Sequence, residues 1–310
     1  MIGADKTRCG FIAVLGAPNS GKSTLVNAAV GQKVSIVTQK VQTTRMPVRG
    51  IAIKDNAQLI FVDTPGIFAP RRRLDRAMVK AAWGRAADAD VVLAVVDAPE
   101  VSARPWSLAA QDTERIVEGL KKANRRAALV LNKVDAMKRE ALLPLTEKLN
   151  DTSIFDRVFM ISALKGDGIA ELMSYCADAV PEGPFLYPPD QAADIPLRLL
   201  AAEITREKLY LRLHDELPYA SAVVTESWKD QKDGSVRIDQ TIFVERDGQK
   251  AIVIGKGGQT IKAIGEAARH ELEQLLEKRV HLFLHSKVAE SWGETPAHYQ
   301  EWGLEFPKDQ

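Results

Sequence analysis

The string Gly16-Ala17-Pro18-Asn19-Ser20-Gly21-Lys22-Ser23 constrains this 310-residue chain more than any other. It fits G-x-x-x-x-G-K-[ST] and stands between an apolar run, Phe11 to Leu15, and a helical segment reaching about Gly31. Such a loop works where a strand ends and a helix begins. Its glycines let the backbone curl, so that successive N–H groups and the helix N-terminus cradle phosphate. Lys22 then reaches the outer phosphates, and the Ser23 hydroxyl is available to Mg²⁺. Gly16, Asn19, Ser20, Gly21, Lys22, Ser23 and Thr24 are the candidate phosphate-binding residues.

The following residues supply the surroundings this loop needs. Gln58 to Val62, Val91 to Val96, Ala128 to Leu131 and Val158 to Ile161 read as strands buried on both faces, alternating with helical segments. That alternation predicts an α/β fold, a mostly parallel sheet with helices on both sides. Asp63-Thr64-Pro65-Gly66 comes directly after one strand, so that Asp63 can hold Mg²⁺ and the Gly66 N–H can reach a γ-phosphate. Asn132-Lys133-Val134-Asp135 comes directly after another. There a carboxylate accepts hydrogen bonds from guanine N1–H and its exocyclic amine, whereas adenine would leave it unpaired. Guanine is therefore the expected base, with Asn132, Lys133 and Asp135 reading it and Ser162 and Ala163 supplying backbone N–H groups to its oxygen.

Between the first helix and Asp63, Gln42-Thr43-Thr44-Arg45 lies where a threonine hydroxyl completes a Mg²⁺ shell when γ-phosphate is present. Thr44 is the choice and Thr43 the alternative. Ser23, Thr44 and Asp63 are thus the expected metal ligands, and Lys22, Thr44 and Gly66 the catalytic set. Ile67 follows Gly66, so the water-orienting glutamine of Ras-type enzymes is missing and intrinsic turnover should be slow. Arg71, Arg72, Arg73 and Arg76 either meet RNA phosphates, act in hydrolysis or form a solvated basic face, the last being favoured.

A change of character falls at 181–196, where five of the 15 prolines lie. Proline fixes φ and donates no hydrogen bond, so this stretch reads as an extended linker. Beyond it the pattern becomes helix (Leu197 to Leu213), two strands (Ala220 to Trp228, Val236 to Glu245), two helices (Gln249 to Ile254, Gln259 to Leu276) and a strand (His281 to His285). The expected division is 1–180, linker 181–196, a smaller α+β domain 197–290 and a tail 291–310 without clean period. Gly255-Lys256-Gly257-Gly258 joins the two helices, a G-x-x-G loop able to approach a sugar-phosphate backbone closely. Lys262 and other cations surround it.

Charge argues against a broad nucleic-acid field. The chain carries 26 basic against 19 acidic residues through Val180, and 16 against 22 beyond it. Two cysteines, Cys9 and Cys176, make no disulfide framework and suit a reducing compartment. With no apolar run of membrane-spanning or signal-peptide length, the protein is expected to be soluble and cytoplasmic, acting as a monomer.

Residues 11–180 resemble a small GTPase domain of the translation-factor-related class, and the rest is similar to a type II KH domain. The pairing resembles the bacterial Era GTPase family along nearly the whole chain. That resemblance implies GTP hydrolysis to GDP with Mg²⁺, binding near the 3′ end of 16S rRNA, a role in small ribosomal subunit assembly, and peripheral inner-membrane association. In some related GTPases an asparagine matching Asn19 helps bind K⁺ near the phosphates, so K⁺ is a second expected ion. The competing reading is a signalling switch whose C-terminal module binds protein or membrane. An adenine-using kinase is opposed by Asn132-Lys133-Val134-Asp135.

Overall fold

Strand β1 (Arg8–Gly16) lies at the centre of a seven-stranded sheet and runs directly into the phosphate loop. The computed structural model describes residues 7–38, 40, 43–213, 217–290, 292 and 295–307; Gln42 of the expected switch segment lies outside them. β1 pairs in parallel with β3 (Ala57–Asp63) on one side and β4 (Val91–Asp97) on the other. β5 (Ala127–Asn132) and β6 (Phe155–Met160) extend the parallel side. β2 (Val48–Lys54) pairs antiparallel with β3, and the two-residue β7 (Ala193–Asp194) adds antiparallel to β2. The order is β6-β5-β4-β1-β3-β2-β7, mostly parallel as the alternation predicts.

Successive side chains of one strand enter two different cores, which is why these strands are apolar throughout. Ile12 and Val14 pack with Leu93, Phe61 and the helices α1 (Lys22–Val30) and α6 (Ile169–Ala179). Ala13 and Leu15 pack with Val92, Leu129 and the opposite layer: α2 (Arg73–Asp88), α3 (Ala98–Ala103), α4 (Leu108–Lys122) and α5 (Leu142–Asn150). Because the paired strands run the same way, their carboxyl ends share one sheet edge. The phosphate loop, Asp63, Asp97 and Asn132 all stand there.

By compactness the chain divides into Met1–Asp194 with Tyr299–Gln310, and Ile195–His298. The proline-rich stretch is fastened to the first of these. Cys9 N–H donates to Pro181 O at 3.0 Å and Gly183 N–H to Thr7 O at 3.0 Å. The buried Gln58 side chain accepts from Leu186 and Tyr187 N–H at 2.8 and 3.0 Å and donates to Tyr187 O at 2.7 Å. A stretch of prolines lacks the donors to build a sheet of its own, and here the first unit's edge supplies the partners.

In the C-terminal segment the aromatic residues are buried one by one. Trp292 donates through Nε1 to Ala220 O at 3.1 Å, while Tyr299 stacks edge-on to Phe306 at 4.9 Å. Within the first unit, Arg73 of α2 lies over the Phe306 ring.

The second unit is a three-stranded sheet, order β10-β9-β8, built from β8 (Ser221–Asp230), β9 (Val236–Val244) and β10 (Val280–Val288). β8 runs antiparallel and β10 parallel to β9. Helices α7 (Leu197–Arg212), α8 (Asp247–Ile254) and α9 (Gln259–Leu276) complete it. Ile204, Ala268 and Leu272 meet Val236, Ile238 and Val280 in one apolar cluster, so α7 and α9 cover a single face of the sheet.

Candidate functional site

The phosphate loop is held in shape by positions only particular residues tolerate. Gly21 has φ 93°, and a Cβ there would stand 2.2 Å from Asn132 Nδ2. Asn19 also adopts the left-handed region, φ 63°, which asparagine tolerates better than most residues. Lys22 is buried, and its Nζ donates to Gly16 O at 3.2 Å and Ala17 O at 2.8 Å, which curls its side chain over the loop. Burial lowers its pKa to about 8, with the Asp63 carboxylate opposing the shift. Thr24 follows on the first turn of α1.

Three of the predicted residues converge. Ser23 Oγ and Thr44 Oγ1 are 2.9 Å apart, and Thr44 Oγ1 donates to Asp63 Oδ2 at 3.4 Å. Thr43, the alternative, turns away. Its hydroxyl donates to Lys40 O at 2.7 Å and lies 2.6 Å from Thr38 Oγ1. Asp63 is fully buried, and desolvation raises its pKa against the opposing Ser23 hydroxyl and Lys22 ammonium. Its Oδ1 has no hydrogen-bond partner among the described residues. A buried carboxylate oxygen without a partner, beside two hydroxyls, is a hard-oxygen set that fits Mg²⁺.

The turn after Asp63 is set against the phosphate loop. Thr64 Oγ1 donates to Val14 O at 2.7 Å, Pro65 is buried, and Ile67 N–H donates to Gly16 O at 3.0 Å. A Cβ on Gly66 would come within 2.9 Å of Pro18 N, so only glycine lets these two loops lie this close. The Ile67 side chain is buried in the sheet's second core, away from where a water would need orienting. Arg71, Arg72 and Arg76 are exposed; Asp75 accepts from the Arg71 and Arg72 N–H groups, both at 3.0 Å, and caps α2.

Asn132 joins the base loops to the phosphate loop. Its Nδ2 donates to Ser20 O at 2.9 Å, and its Oδ1 accepts from Lys133 N–H at 2.8 Å and Ala163 N–H at 3.0 Å. The Ala163 N–H, expected to serve the base oxygen, therefore has Asn132 as its partner here. Lys133, at φ 63°, extends to Asp97 Oδ2 at 2.5 Å. The Ser162 hydroxyl holds the Asp135 carboxyl below its ordinary pKa, with Lys165 3.6 Å away adding to the effect.

Sequence reasoning passed over Asp97 and Asn27. Asp97 ends β4 at the same sheet edge as Asp63 and Asn132, and that position was the available signal. Asn27 lies on α1; its Oδ1 accepts from Val34 and Ser35 N–H at 2.8 and 2.9 Å, and its Nδ2 donates to Ser35 O at 2.8 Å. It fixes the start of the segment that carries Thr44, and no spacing rule announces it.

In the second unit, Gly255, Gly257 and Gly258 have φ of 73°, 61° and 78°. A Cβ on Gly255 would lie 2.2 Å from Thr260 Oγ1, whereas one on Gly257 or Gly258 would meet nothing within 4 Å. The first glycine is thus required by packing and the other two leave open surface. Lys256 and Lys262 are exposed beside them. α8 begins with Gln249 Oε1 accepting from Glu245 and Arg246 N–H, which aims its C-terminal end into the loop.

Fold and site together define a P-loop GTPase joined to a KH module. Residues 11–133 match the model of the 50S ribosome-binding GTPase family and residues 216–293 that of the KH domain. The chain is 58% identical over 306 residues to GTPase Era of Rhizobium meliloti, covering 99% of this chain and 96% of that protein. It is 60% identical over 301 residues to GTPase Era of Mesorhizobium japonicum, covering 97% and 95%. A solved structure of Era in complex with MgGDPNP and nucleotides 1506–1542 of 16S ribosomal RNA matches with TM-score 0.88 and 38% identity, over 96% of this chain and 99% of that one. The chain belongs to the Era family of GTPases.

Proposed function

We propose that this protein hydrolyses GTP to GDP and phosphate, binds small-subunit ribosomal RNA near its 3′ end, and uses its nucleotide state to govern that binding during assembly of the small subunit. Residues 1–180 would carry the nucleotide and 197–290 the RNA. The observation that carries the reading is Asn132, whose one amide ties the guanine-reading loops to the phosphate loop. A solved Era relative was crystallised with MgGDPNP and with nucleotides 1506–1542 of 16S rRNA, which supports both ligands.

In this reading Asp135 and Lys133 hold guanine, and Gly16 to Thr24 hold the phosphates with Lys22 neutralising their charge. The ammonium, desolvated and hydrogen-bonded only to carbonyls, gains most when phosphate oxygens come within reach. Ser23, Thr44 and Asp63 would hold Mg²⁺, which supplies charge stabilisation to the γ-phosphoryl group when bound. Water attacks the γ-phosphorus, the bond to the β-phosphate oxygen breaks, and the Gly66 N–H and Lys22 stabilise the equatorial charge. With Ile67 in place of a glutamine, turnover by the isolated protein should be near or below ~10⁻² s⁻¹. Asn19, exposed in the loop, would take K⁺, so hydrolysis should be faster in K⁺ than in Na⁺. Gly255 to Gly258 and Lys262 would hold RNA. We place the protein in the cytoplasm as a monomer; inner-membrane association rests on the family resemblance alone.

The test is Gly257→Asp. A Cβ there meets nothing within 4 Å, and aspartate takes the left-handed region at less cost than most residues, so the strain should be small enough to leave the unit folded and GTP binding unchanged, which thermal unfolding checks. Affinity for RNA spanning nucleotides 1506–1542 should fall by at least tenfold. RNA binding at wild-type strength would move the protein to the signalling alternative.

A further inference from the structure

The face of the three-stranded sheet turned away from α7 and α9 carries an ordered cluster near the β8–β9 turn. The guanidinium carbon of Arg237 of β9 lies over the ring of Phe283 of β10, 4.4 Å from its centre, and Phe283 is 44% exposed. Two hydrogen bonds hold the guanidinium there. Its Nε and Nη2 donate to Asp239 Oδ2 and Oδ1 at 3.1 and 3.0 Å, and Asp239 Oδ2 also accepts from Ser227 Oγ at 2.7 Å. Lys229 stands beside Arg237 in register, and His281 on its other side. With the 231–235 turn, Arg237, His281 and Phe283 border a depression of about 510 Å³, within the range of small-ligand sites.

Charge around this depression is positive. Asp239 is offset by Arg237 and Asp230 lies 3.9 Å from Lys278, while Asp233, hydrogen-bonded to the Ser235 N–H and hydroxyl, keeps one negative charge against the cations around it. Lys229, Lys232 and Arg279 have no acidic partner among the described residues. A rigid aromatic ring backed by a guanidinium and flanked by free cations is the arrangement that stacks a base and meets its phosphates. An acidic protein segment would meet the same cations but has no planar ring system to lay on the half-exposed Phe283, so an RNA base with its flanking phosphates fits better.

We propose that this end of the open sheet face is a second nucleic-acid contact, where an unpaired RNA base stacks on Phe283 and Lys229 and Lys232 meet the flanking phosphates. It is separate from the G-x-x-G loop, and it rests on the RNA-binding reading above.

The test uses the full chain and two probes: RNA of nucleotides 1506–1542 and poly-glutamate. Phe283→Ala should weaken RNA binding about tenfold, the loss of one stacked base. Phe283→Tyr should restore it, and Lys229→Glu with Lys232→Glu should weaken it and flatten its salt dependence. GTP turnover and thermal unfolding of each variant serve as controls for folding. Ultraviolet crosslinking should place RNA on the peptide containing Phe283. If Gly257→Asp loses RNA while the Phe283 and lysine variants bind as wild type, the second contact is overturned and the RNA reading stands. If wild type binds poly-glutamate and no RNA, both fall and an acidic protein partner takes this face.

Discussion

The two sheets differ in how they are covered, and their sites differ accordingly. The seven-stranded sheet has helices on both faces, so its inner strands β1, β3, β4 and β5 are almost wholly buried, and the residues expected to meet nucleotide gather at the edge formed by the carboxyl ends of its parallel strands. Asp63 and Asn132 end strands there, Lys22 and Ser23 open the helix that follows the phosphate loop, and Thr44 lies in the segment leading into β2. The three-stranded sheet has helices on one face, so its strands alternate and chemistry can also sit on the open side. A doubly covered sheet concentrates function in its loops; a singly covered one divides it between a loop and a face.

Core substitutions should break this comparison most visibly. Leu93 is fully buried in the central strand β4, and Leu93→Ala should cost about 2–5 kcal/mol, measured by denaturant unfolding. Ile238→Ala, on the covered face of the second sheet, should cost a similar amount in its own unit. Phe283→Ala, on the open face, should cost under ~1 kcal/mol, chiefly the lost guanidinium contact. An equally large loss at Phe283 would mean that this face is covered after all.

A smaller effect separates the loops. Gly255→Ala forces a Cβ against Thr260 Oγ1 at φ 73°, a strain of about 1–3 kcal/mol on the second unit. RNA affinity should fall while GTP affinity is unchanged, as titrations of both ligands on one preparation would show. A matching loss of GTP affinity would join two sites that the account keeps separate.

The smallest effect concerns the proline-rich stretch. Tyr187 and Arg49 hold the Asp194 carboxyl below its ordinary pKa of 3.8, Arg49 by an ion pair at 2.7 Å. A depressed carboxyl contributes stability that is present at neutral pH and lost as pH falls through its folded value, below 3.8. The pair is over a third exposed, so Asp194→Asn should cost no more than about 0.5 kcal/mol at pH 7. The difference from wild type should vanish in acid. A constant difference across pH would assign the loss to packing instead.

The parts of this design legible in the sequence are those where one strand must satisfy two cores. Phe11 to Leu15, Gln58 to Val62 and Val91 to Val96 read as strands because they are apolar on both sides apart from Gln58, whose buried amide finds partners in the proline-rich stretch, and the functional strings are found by following such runs. β2 is less legible: Arg49, Gly50 and Lys54 interrupt its pattern, because it lies toward the sheet's edge. β7 is only two residues long and borrows its pairing from β2. In the C-terminal segment Trp292, Tyr299, Trp302 and Leu304 are buried at irregular intervals, which leaves no period to read. Among site residues, the hydroxyls of Ser23 and Thr44 and the Asp63 carboxylate lie side by side, while Asp97 acts through Lys133, 36 residues on, and Asn27 through backbone groups that no side-chain motif marks.

Nucleotide specificity of Asp135→Asn tests the account most directly. If the Asp135 carboxylate accepts two guanine donors as proposed, the amide should lose GTP by a hundredfold or more. It should gain xanthosine triphosphate, whose extra carbonyl suits an amide donor. RNA binding measured without nucleotide should be unaltered, since the G-x-x-G loop belongs to the other unit. GTP affinity unchanged by Asp135→Asn, with no gain for the xanthine nucleotide, would contradict the assignment of this edge as a guanine-reading site.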